Sequence, residues 1–410
     1  MRGGGLSALL LLAAASSSSS VLLRPGESQG PLPPPQHVTH EDVERYSAEG
    51  DLDSLSKNLV FAFKNSARVR GPDKVELREV LTARGAGFTY TSAYKMEHDI
   101  MQLEHIINKT QGSDQARFLE HNVLPSYRAL LAKIPPIEQL ERTAGLFAFG
   151  HAPEEASAIA PYYNRALNVP DYPPLEGGHL NPDLDLAGVE KEYFAADPSV
   201  CVVDNVLSQE ALTQIRQLLA ESTVWYETKM PERFGGYVGA YLNDGLHQRI
   251  LLALTEELRE KLPNILGKHA LRHLWAYKYD ERYSGINVHA DEAAVNLNFW
   301  VTPEDANLDK ESGGLVVYTK KPPPDWTFDM YNQFAEGGAA RELLEESGWA
   351  NVTIPYKENR LVMFDSALFH KTDSFQFKPG FLNRRINLTL LFGRMNLGHD
   401  AACSASPGLR

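Results

Sequence analysis

Residues 286–301 read INVHADEAAVNLNFWV, and this stretch decides the fold. His289 and Asp291 lie two positions apart, just before the strand-like run Val295–Val301. In an extended chain, residues i and i+2 lie on one face, so both side chains are expected to point the same way. Apolar alternation on both sides of the pair favours such an extended segment.

A histidine followed two places later by a carboxylate is weak evidence alone, because 13 His and 53 acidic residues in 410 predict about two such pairs by chance. His40 and Asp42 form another pair of this kind. They are better explained as the start of a helix, with Thr39 as N-cap and Asp42 as its capping-box partner.

Two later segments supply the side chains that would complete a site. His370 follows the strand-like run 361–364, and Arg385 and Asn387 lie two residues apart in the last apolar run. A third ligand on a later strand would complete two histidines and one carboxylate, a set that suits non-haem Fe(II) with open positions. Mn or Zn in the same ligand set is the alternative, and His399 is the alternative to His370.

The guanidinium of an arginine can grip a carboxylate with two parallel hydrogen bonds. Arg385 and Asn387 would share one face of their strand and could hold an acidic co-substrate. Arg384 is the alternative, because a register slip of one residue moves each side chain to the other face.

In these motifs the region resembles the Fe(II)/2-oxoglutarate-dependent dioxygenase superfamily (prolyl-hydroxylase-like, double-stranded β-helix oxygenases). The resemblance implies that His289, Asp291 and His370 bind Fe(II) and are the catalytic set. It also implies that Arg385, assisted by Asn387, binds the far carboxylate of 2-oxoglutarate. Ascorbate is an optional reductant.

Two further residues, Asn298 and Tyr279, either contact the co-substrate or line the core. Trp300 is expected to be a packing residue. The phrase Arg-Ile-Asn-Leu-Thr is similar to the alkylation-repair branch, but this chain has Leu391 where that branch carries a second arginine. The substrate of that branch is therefore not expected here.

The predicted fold class is α+β: a C-terminal double-stranded β-helix (jelly-roll) with supporting helices, preceded by a mainly α-helical N-terminal domain. Eight short strands suit a jelly-roll, and they are predicted at 272–280, 285–291, 294–302, 313–319, 351–356, 360–365, 368–374 and 384–393. The segment Asp325–Gly348 interrupts them with helical character. Insertions there form a lid or substrate wall in the family, so specificity is placed in this segment.

The chain divides by composition into six parts. They are a signal peptide (1–22), a disordered linker (23–36), a helical accessory domain (37–165), a second linker (166–195), the dioxygenase domain (196–397) and a tail (398–410).

Helical spacing predicts helices around Leu55–Phe63 and Met96–Ile107 in the accessory domain. His98 and His105 are interpreted as residues of the polar face of the second helix. Ser208 is expected to cap a helix carrying Leu212 to Leu219. The glycine-rich run 235–239 is expected to be a turn without phosphate-loop character.

Composition limits the function. The formal net charge is −13 and no cluster of basic residues is present, which argues against nucleic acid as a partner. Arg2 and the apolar run Leu6–Ala15 indicate a secretory signal and hence the secretory pathway, with a signal anchor or organelle targeting as alternatives. No stable membrane span is expected after cleavage.

Two cysteines, Cys201 and Cys403, could pair or stay free. Asn108 and Asn351 begin glycosylation sequons, and a third sequon at Asn387 should be buried.

We therefore expect a dioxygenase that hydroxylates a peptidyl residue or a small molecule, converting 2-oxoglutarate and O₂ to succinate and CO₂. The alternative is a non-catalytic jelly-roll module that binds a glycan or a protein.

Overall fold

The structure is a computed structural model. It describes residues 38–70, 88–136, 161–229, 236–332 and 338–395, with the short pieces 139, 147–150 and 159. The predicted signal peptide, first linker and tail lie outside the described residues, as do His399 and Cys403. In the part of the chain that is described, no helix has the length and apolar character needed to cross a membrane.

The first half of the chain is mainly helical. Its elements are α1 (His40–Glu49), α2 (Leu52–Asn65), α3 (Ala67–Arg70), β1 (Phe88–Thr91), α4 (Ala93–Lys109), α5 (Asp114–Phe118), α6 (Leu124–Leu131) and β2 (Phe147–Gly150). A π-helical turn, Leu119–Val123, joins α5 to α6. The predicted capping box of α1 is confirmed, since Thr39 and Asp42 each accept a hydrogen bond from the other's backbone N–H.

The second half carries most of the strands. Its helices are α7 (Leu186–Ala195), α8 (Gln209–Glu221), α9 (Arg249–Lys261), α10 (Phe328–Asn332) and α11 (Ala339–Glu346). Its strands are β3 (Val200–Asp204), β4 (Glu227–Lys229), β5 (Tyr237–Tyr241), β6 (Leu271–Tyr279), β7 (Val295–Trp300), β8 (Leu315–Tyr318), β9 (Asn351–Ile354), β10 (Arg360–Asp365), β11 (His370–Thr372) and β12 (Ile386–Phe392). Ser208 caps α8 as predicted, accepting from the N–H of Ala211.

Two antiparallel sheets form the centre of this half. The large sheet has the strand order β3-β10-β7-β12-β6-β5-β4, and the small one has the order β11-β8-β9. Aromatic and aliphatic side chains from both sheets meet in one buried cluster, including Tyr279 and Trp300 from the large sheet and Val317 and Ile354 from the small one. The two sheets therefore face each other, and a mixed helix and antiparallel-sheet fold is confirmed.

The other face of the large sheet is covered by helices. Leu388 and Leu390, alternate residues of β12, lie in one buried cluster with Leu218 of α8. Val43 of α1 and Leu55 of α2 belong to the same cluster, so the first two helices pack on the sheet directly. The boundary of a separate helical domain stays a prediction.

Six of the eight predicted strands form over nearly the predicted spans, and the segment 368–374 shortens to β11. The exception is 285–291, which makes only a single bridge, between His289 and His370. The prediction of a turn at 235–239 was wrong in part, because Tyr237 to Tyr241 form β5 and pair with β6.

The interpretation of His98 was also wrong. Its side chain is fully buried, with its ring 5.6 Å from that of Phe381 and 5.9 Å from that of Trp225. The helix α4 contacts both α6 and α8, so it is covered by more than one element. A helical-wheel pattern shows one apolar face and carries no information about a second covering element.

Candidate active site

The backbone brings the three predicted ligands together. His289 N donates to the carbonyl of His370 at 3.0 Å, and His370 N donates to the carbonyl of His289 at 2.8 Å. This bridge places the two imidazoles side by side, with ring centroids 4.2 Å apart. Asp291 lies next to them, and one ligand atom from each of the three residues falls within 4.8 Å of the others.

Hydrogen bonds fix which ring nitrogens face the site. His289 Nδ1 lies 2.8 Å from the carbonyl of Asn287, and His370 Nδ1 lies 3.0 Å from the carbonyl of Leu368. A carbonyl only accepts, so each Nδ1 carries the proton and each Nε2 keeps a free lone pair. The Nε2 atoms point toward Asp291, at 3.9 Å for His289 and 3.4 Å for His370.

The charge states suit a divalent cation. Burial, together with the nearby His370, lowers the pKa of His289 to about 4, so the imidazole is neutral and able to act as a ligand. Burial alone would raise the pKa of Asp291, but the neighbouring His370 and His289 lower it overall, so the carboxyl is ionised. The three side chains thus offer two imidazole nitrogens and one carboxylate with open positions, the donor set that favours non-haem Fe(II).

A chain of side-chain amides joins the triad to β12. Asn296 Nδ2 donates to Asp291 Oδ2 at 2.8 Å, and Asn298 Nδ2 donates to Asn296 Oδ1 at 2.5 Å. Asn298 Oδ1 in turn accepts from Asn387 Nδ2 at 2.5 Å and from the Thr389 hydroxyl at 3.2 Å. The amides therefore link the Asp291 carboxylate to Asn387 and Thr389 of β12.

The sequence interpretation missed Asn296. The alternation Asn296-Leu297-Asn298 was the signal that could have identified it, because polar residues on the inner face of a fully buried strand must find partners.

Arg385 lies buried between the two sheets, 1% exposed. Its Nε donates to the carbonyl of Gly313 at 2.7 Å and its Nη2 to that of Gly314 at 2.9 Å. Its Nη1 is buried and donates to no atom of the described residues. A buried guanidinium with a free donor is a ready partner for a carboxylate.

The loop that holds Arg385 requires glycine. A Cβ on Gly314 would meet the carbonyl oxygen of Ile354 at 1.9 Å and the Trp300 ring at 2.7 Å. Only glycine lets the backbone lie this close to Ile354 and Trp300, and in that position the Gly314 carbonyl accepts from the guanidinium.

Other predicted residues surround the same space. The Arg385 guanidinium carbon lies 4.8 Å from the centre of the buried Tyr279 ring and 5.8 Å from that of Trp300. Trp300 packs as predicted, stacked on Tyr356, while its Nε1–H and the Oδ1 of Asn387 lack partners among the described residues. Arg385 Nη1, Trp300 Nε1 and Asn387 Oδ1 are thus three buried polar atoms without partners among the described residues, which fits a small polar ligand between the sheets.

Arg384, the alternative anchor, lies on the opposite face of the sheet. It is buried in an ion pair with Asp280, with a 3.0 Å Nη2–Oδ2 distance. The observed register thus directs Arg385, and not Arg384, into the space between the sheets.

Aromatic rings line the inner face of β5 and β6 beside the triad. The Trp275 and Tyr277 rings stack with centroids 5.8 Å apart, and the hydroxyls of Tyr241 and Tyr277 are 3.1 Å apart. At the far end of this row, Trp275, Tyr241, His273 and His40 border a cavity of about 140 Å³. The wall of this cavity also carries Arg272, which pairs with Glu44 at 3.7 Å, and His273, whose pKa burial lowers to about 4.

The inserted segment 325–348 covers the outer face of the small sheet in its described residues. Tyr331, Ala340 and Leu344 pack against Val316 and Tyr318 there. Its role in specificity stays a prediction.

Comparison with family models gave no match, and comparison with curated proteins gave none either. Solved structures of similar fold include an oxidoreductase of the 2OG-Fe(II) oxygenase family from Burkholderia pseudomallei, at 8% identity and a TM-score of 0.33, over 55% of this chain and 95% of that one. A Pseudomonas putida prolyl-4-hydroxylase matches at 15% identity and a TM-score of 0.32, over 51% and 99%. HygX from Streptomyces hygroscopicus, with nickel and 2-oxoglutarate bound, matches at 12% identity and a TM-score of 0.35, over 50% and 86%.

The Burkholderia protein is described as a member of the superfamily that the sequence motifs of this chain resemble. The chemistry that the site supports follows from the geometry of His289, Asp291, His370 and Arg385.

Proposed function

We propose that the chain is an Fe(II)- and 2-oxoglutarate-dependent dioxygenase built on a double-stranded β-helix. One observation carries the proposal: a triad of two histidines and one carboxylate within 4.8 Å lies in the same inter-sheet space as a buried arginine with a free donor. A binding module needs neither part of this arrangement.

The residues present fit both groups. His289, Asp291 and His370 would hold Fe(II), and Arg385 would bind the distal carboxylate of 2-oxoglutarate, with Asn387 and Tyr279 beside it. When bound, the iron supplies O₂ activation coupled to the conversion of 2-oxoglutarate to succinate and CO₂. The protein orients both groups through the amide chain from Asp291 to Asn387 and excludes water with the aromatic rings around Arg385.

The primary substrate is proposed to approach along the aromatic row of β5 and β6, because this row leads from an open cavity toward the triad. The aromatic rings of this row, Tyr241, Trp275 and Tyr277, favour a neutral peptidyl side chain or small molecule. We also propose that the protein works in the secretory pathway, supported by the apolar run at residues 6–15 and by the exposure of the sequon residues Asn108 and Asn351.

The test is anaerobic binding of Fe(II) and 2-oxoglutarate to the full chain, monitored through the metal-to-ligand charge-transfer band. Succinate formation is then measured after O₂ is admitted. The wild type should show the band, and His289→Ala and Arg385→Ala should lose it. Folded wild-type protein that shows neither band nor succinate would refute the proposal and favour the binding module.

A further inference from the structure

The backbone of the short segment His289–Asp291 is held at every polar group. His289 is paired in both directions with His370, as described above. Asp291 N donates to the carbonyl of Ser366 at 3.3 Å, and the Ser366 hydroxyl donates to the carbonyl of Asp291 at 3.1 Å. The residue between the two ligands, Ala290, has its N–H and C=O directed elsewhere.

Both polar groups of Ala290 are bound by one side chain of the inserted segment. Ala290 N donates to Asn332 Oδ1 at 3.0 Å, and Asn332 Nδ2 donates to the carbonyl of Ala290 at 3.2 Å. A carboxamide carries the same donor and acceptor as a peptide unit. Asn332 therefore takes the place of a residue on a neighbouring strand.

This contact matters because Ala290 is 1% exposed. A buried backbone group without a partner costs about 1–3 kcal/mol, so loss of Asn332 would favour movement of this segment toward water. Asn332 is itself held in place, because the neighbouring Tyr331 is buried in a cluster with Val288 and Phe369.

We propose that Asn332 is a positioning residue that fixes the backbone between His289 and Asp291 and thereby sets the geometry of the metal ligands. The inference rests on the proposed metal site, and it assigns to the inserted segment a role in metal binding. The chemistry explains why the residue is an amide: an aspartate of the same shape would present only acceptors and would face the Ala290 carbonyl with a negative oxygen.

The test compares the full-length wild type with Asn332→Asp, Asn332→Ala and the control Met330→Ala. Met330 lies on the same helix but is 43% exposed, so its replacement should leave intact the two hydrogen bonds between Asn332 and Ala290, called here the Asn332 clamp. Two quantities are measured: hydrogen exchange of the Ala290 amide in metal-free protein, and Co(II) affinity with its d–d spectrum. Thermal unfolding of the metal-free proteins is recorded in parallel.

We expect faster exchange at Ala290 in Asn332→Ala, and a 10- to 100-fold weaker Co(II) affinity in both Asn332 variants, the usual effect of losing a residue that orients a ligand. Met330→Ala should match the wild type in both. Asn332→Asp should also shift the d–d bands, which a general loss of stability would not do.

Wild-type exchange and metal affinity in both Asn332 variants would overturn the inference. A fall in affinity that only follows the fall in melting temperature, with unchanged spectra, would overturn it as well. Wild-type protein that binds no Co(II) would instead refute the proposed metal site. Hydrogen exchange of the Ala290 amide in metal-free protein would still show whether the Asn332 clamp holds this backbone. If Asn332→Asp fails to fold, Asn332→Ala decides the result.

Discussion

The proposed role of Arg385 predicts that its replacement weakens binding only of ligands that carry the distal carboxylate of 2-oxoglutarate. The perturbation is Arg385→Gln, tested with 2-oxoglutarate and with 2-oxopentanoate, which has a methyl group in place of the distal carboxylate. Both ligands keep the keto acid end that chelates the metal. Only 2-oxoglutarate can use the free Nη1 donor of Arg385.

The magnitude follows from the contacts. The Nε and Nη2 of Arg385 already donate to the carbonyls of Gly313 and Gly314. Binding of 2-oxoglutarate therefore adds one hydrogen bond, from Nη1. A hydrogen bond to a charged group contributes about 1.5–3 kcal/mol net, which corresponds to about 10- to 150-fold in affinity. We expect that loss for 2-oxoglutarate and no more than a few-fold change for 2-oxopentanoate.

The assay is anaerobic titration calorimetry on the Fe(II)-loaded proteins. Arg384→Gln is the matched control, because Arg384 is the adjacent arginine on the opposite face and pairs with Asp280. It should reduce stability without changing the affinity ratio of the two ligands. Equal losses for both ligands in Arg385→Gln, or the larger selective loss in Arg384→Gln, would refute the assignment.

Three further outcomes are expected. Gly314→Ala should destabilise the fold by about 3 kcal/mol or more and weaken 2-oxoglutarate binding, since its Cβ would meet Ile354 O at 1.9 Å; urea unfolding and calorimetry measure both. His247, whose pKa burial lowers to about 4, stabilises the fold in its neutral form above pH 6.5 and loses this contribution as the pH falls toward 4. His247→Gln should reduce the slope of unfolding free energy against pH in that window by up to about 1.4 kcal/mol per unit, and an unchanged slope would contradict the assignment. Lys278→Met should leave the midpoint of urea unfolding unchanged or raise it, because burial lowers the pKa of this lysine. Among the described residues, its Nζ contacts the Leu219 carbonyl and the rings of Trp225 and Phe381. A clear drop in the midpoint would show that the charge of Lys278 stabilises the fold.

The residues of the candidate site could be identified from the sequence because each lies in a short motif that resembles the dioxygenase superfamily, and their roles stay predictions. The pair His289 and Asp291 next to an apolar alternation, a late His370, and Arg385 two places before Asn387 all depend on local spacing. The capping box of α1 is predictable for the same reason, since both partners lie within one helical turn.

Residues whose roles depend on distant pairing were not predictable in this way. Gly314 meets Arg385 across two sheets, and Asn332 reaches Ala290 from an insertion 42 positions away. The burial of His98 likewise depends on Trp225 and Phe381, which are remote in sequence. Composition and periodicity contain no information on which distant elements will meet.

The geometry of the site and the stability of the fold are secured by the same register of β12. Ile386, Leu388, Leu390 and Phe392 face the helix-backed core and are all buried. Burying each side chain of this size contributes about 1.5–3 kcal/mol, so a shift of one residue would lose most of that energy and also exchange Arg385 for Arg384. The core thus holds the guanidinium between the sheets even though its burial is unfavourable, and binding of a carboxylate would offset part of that cost.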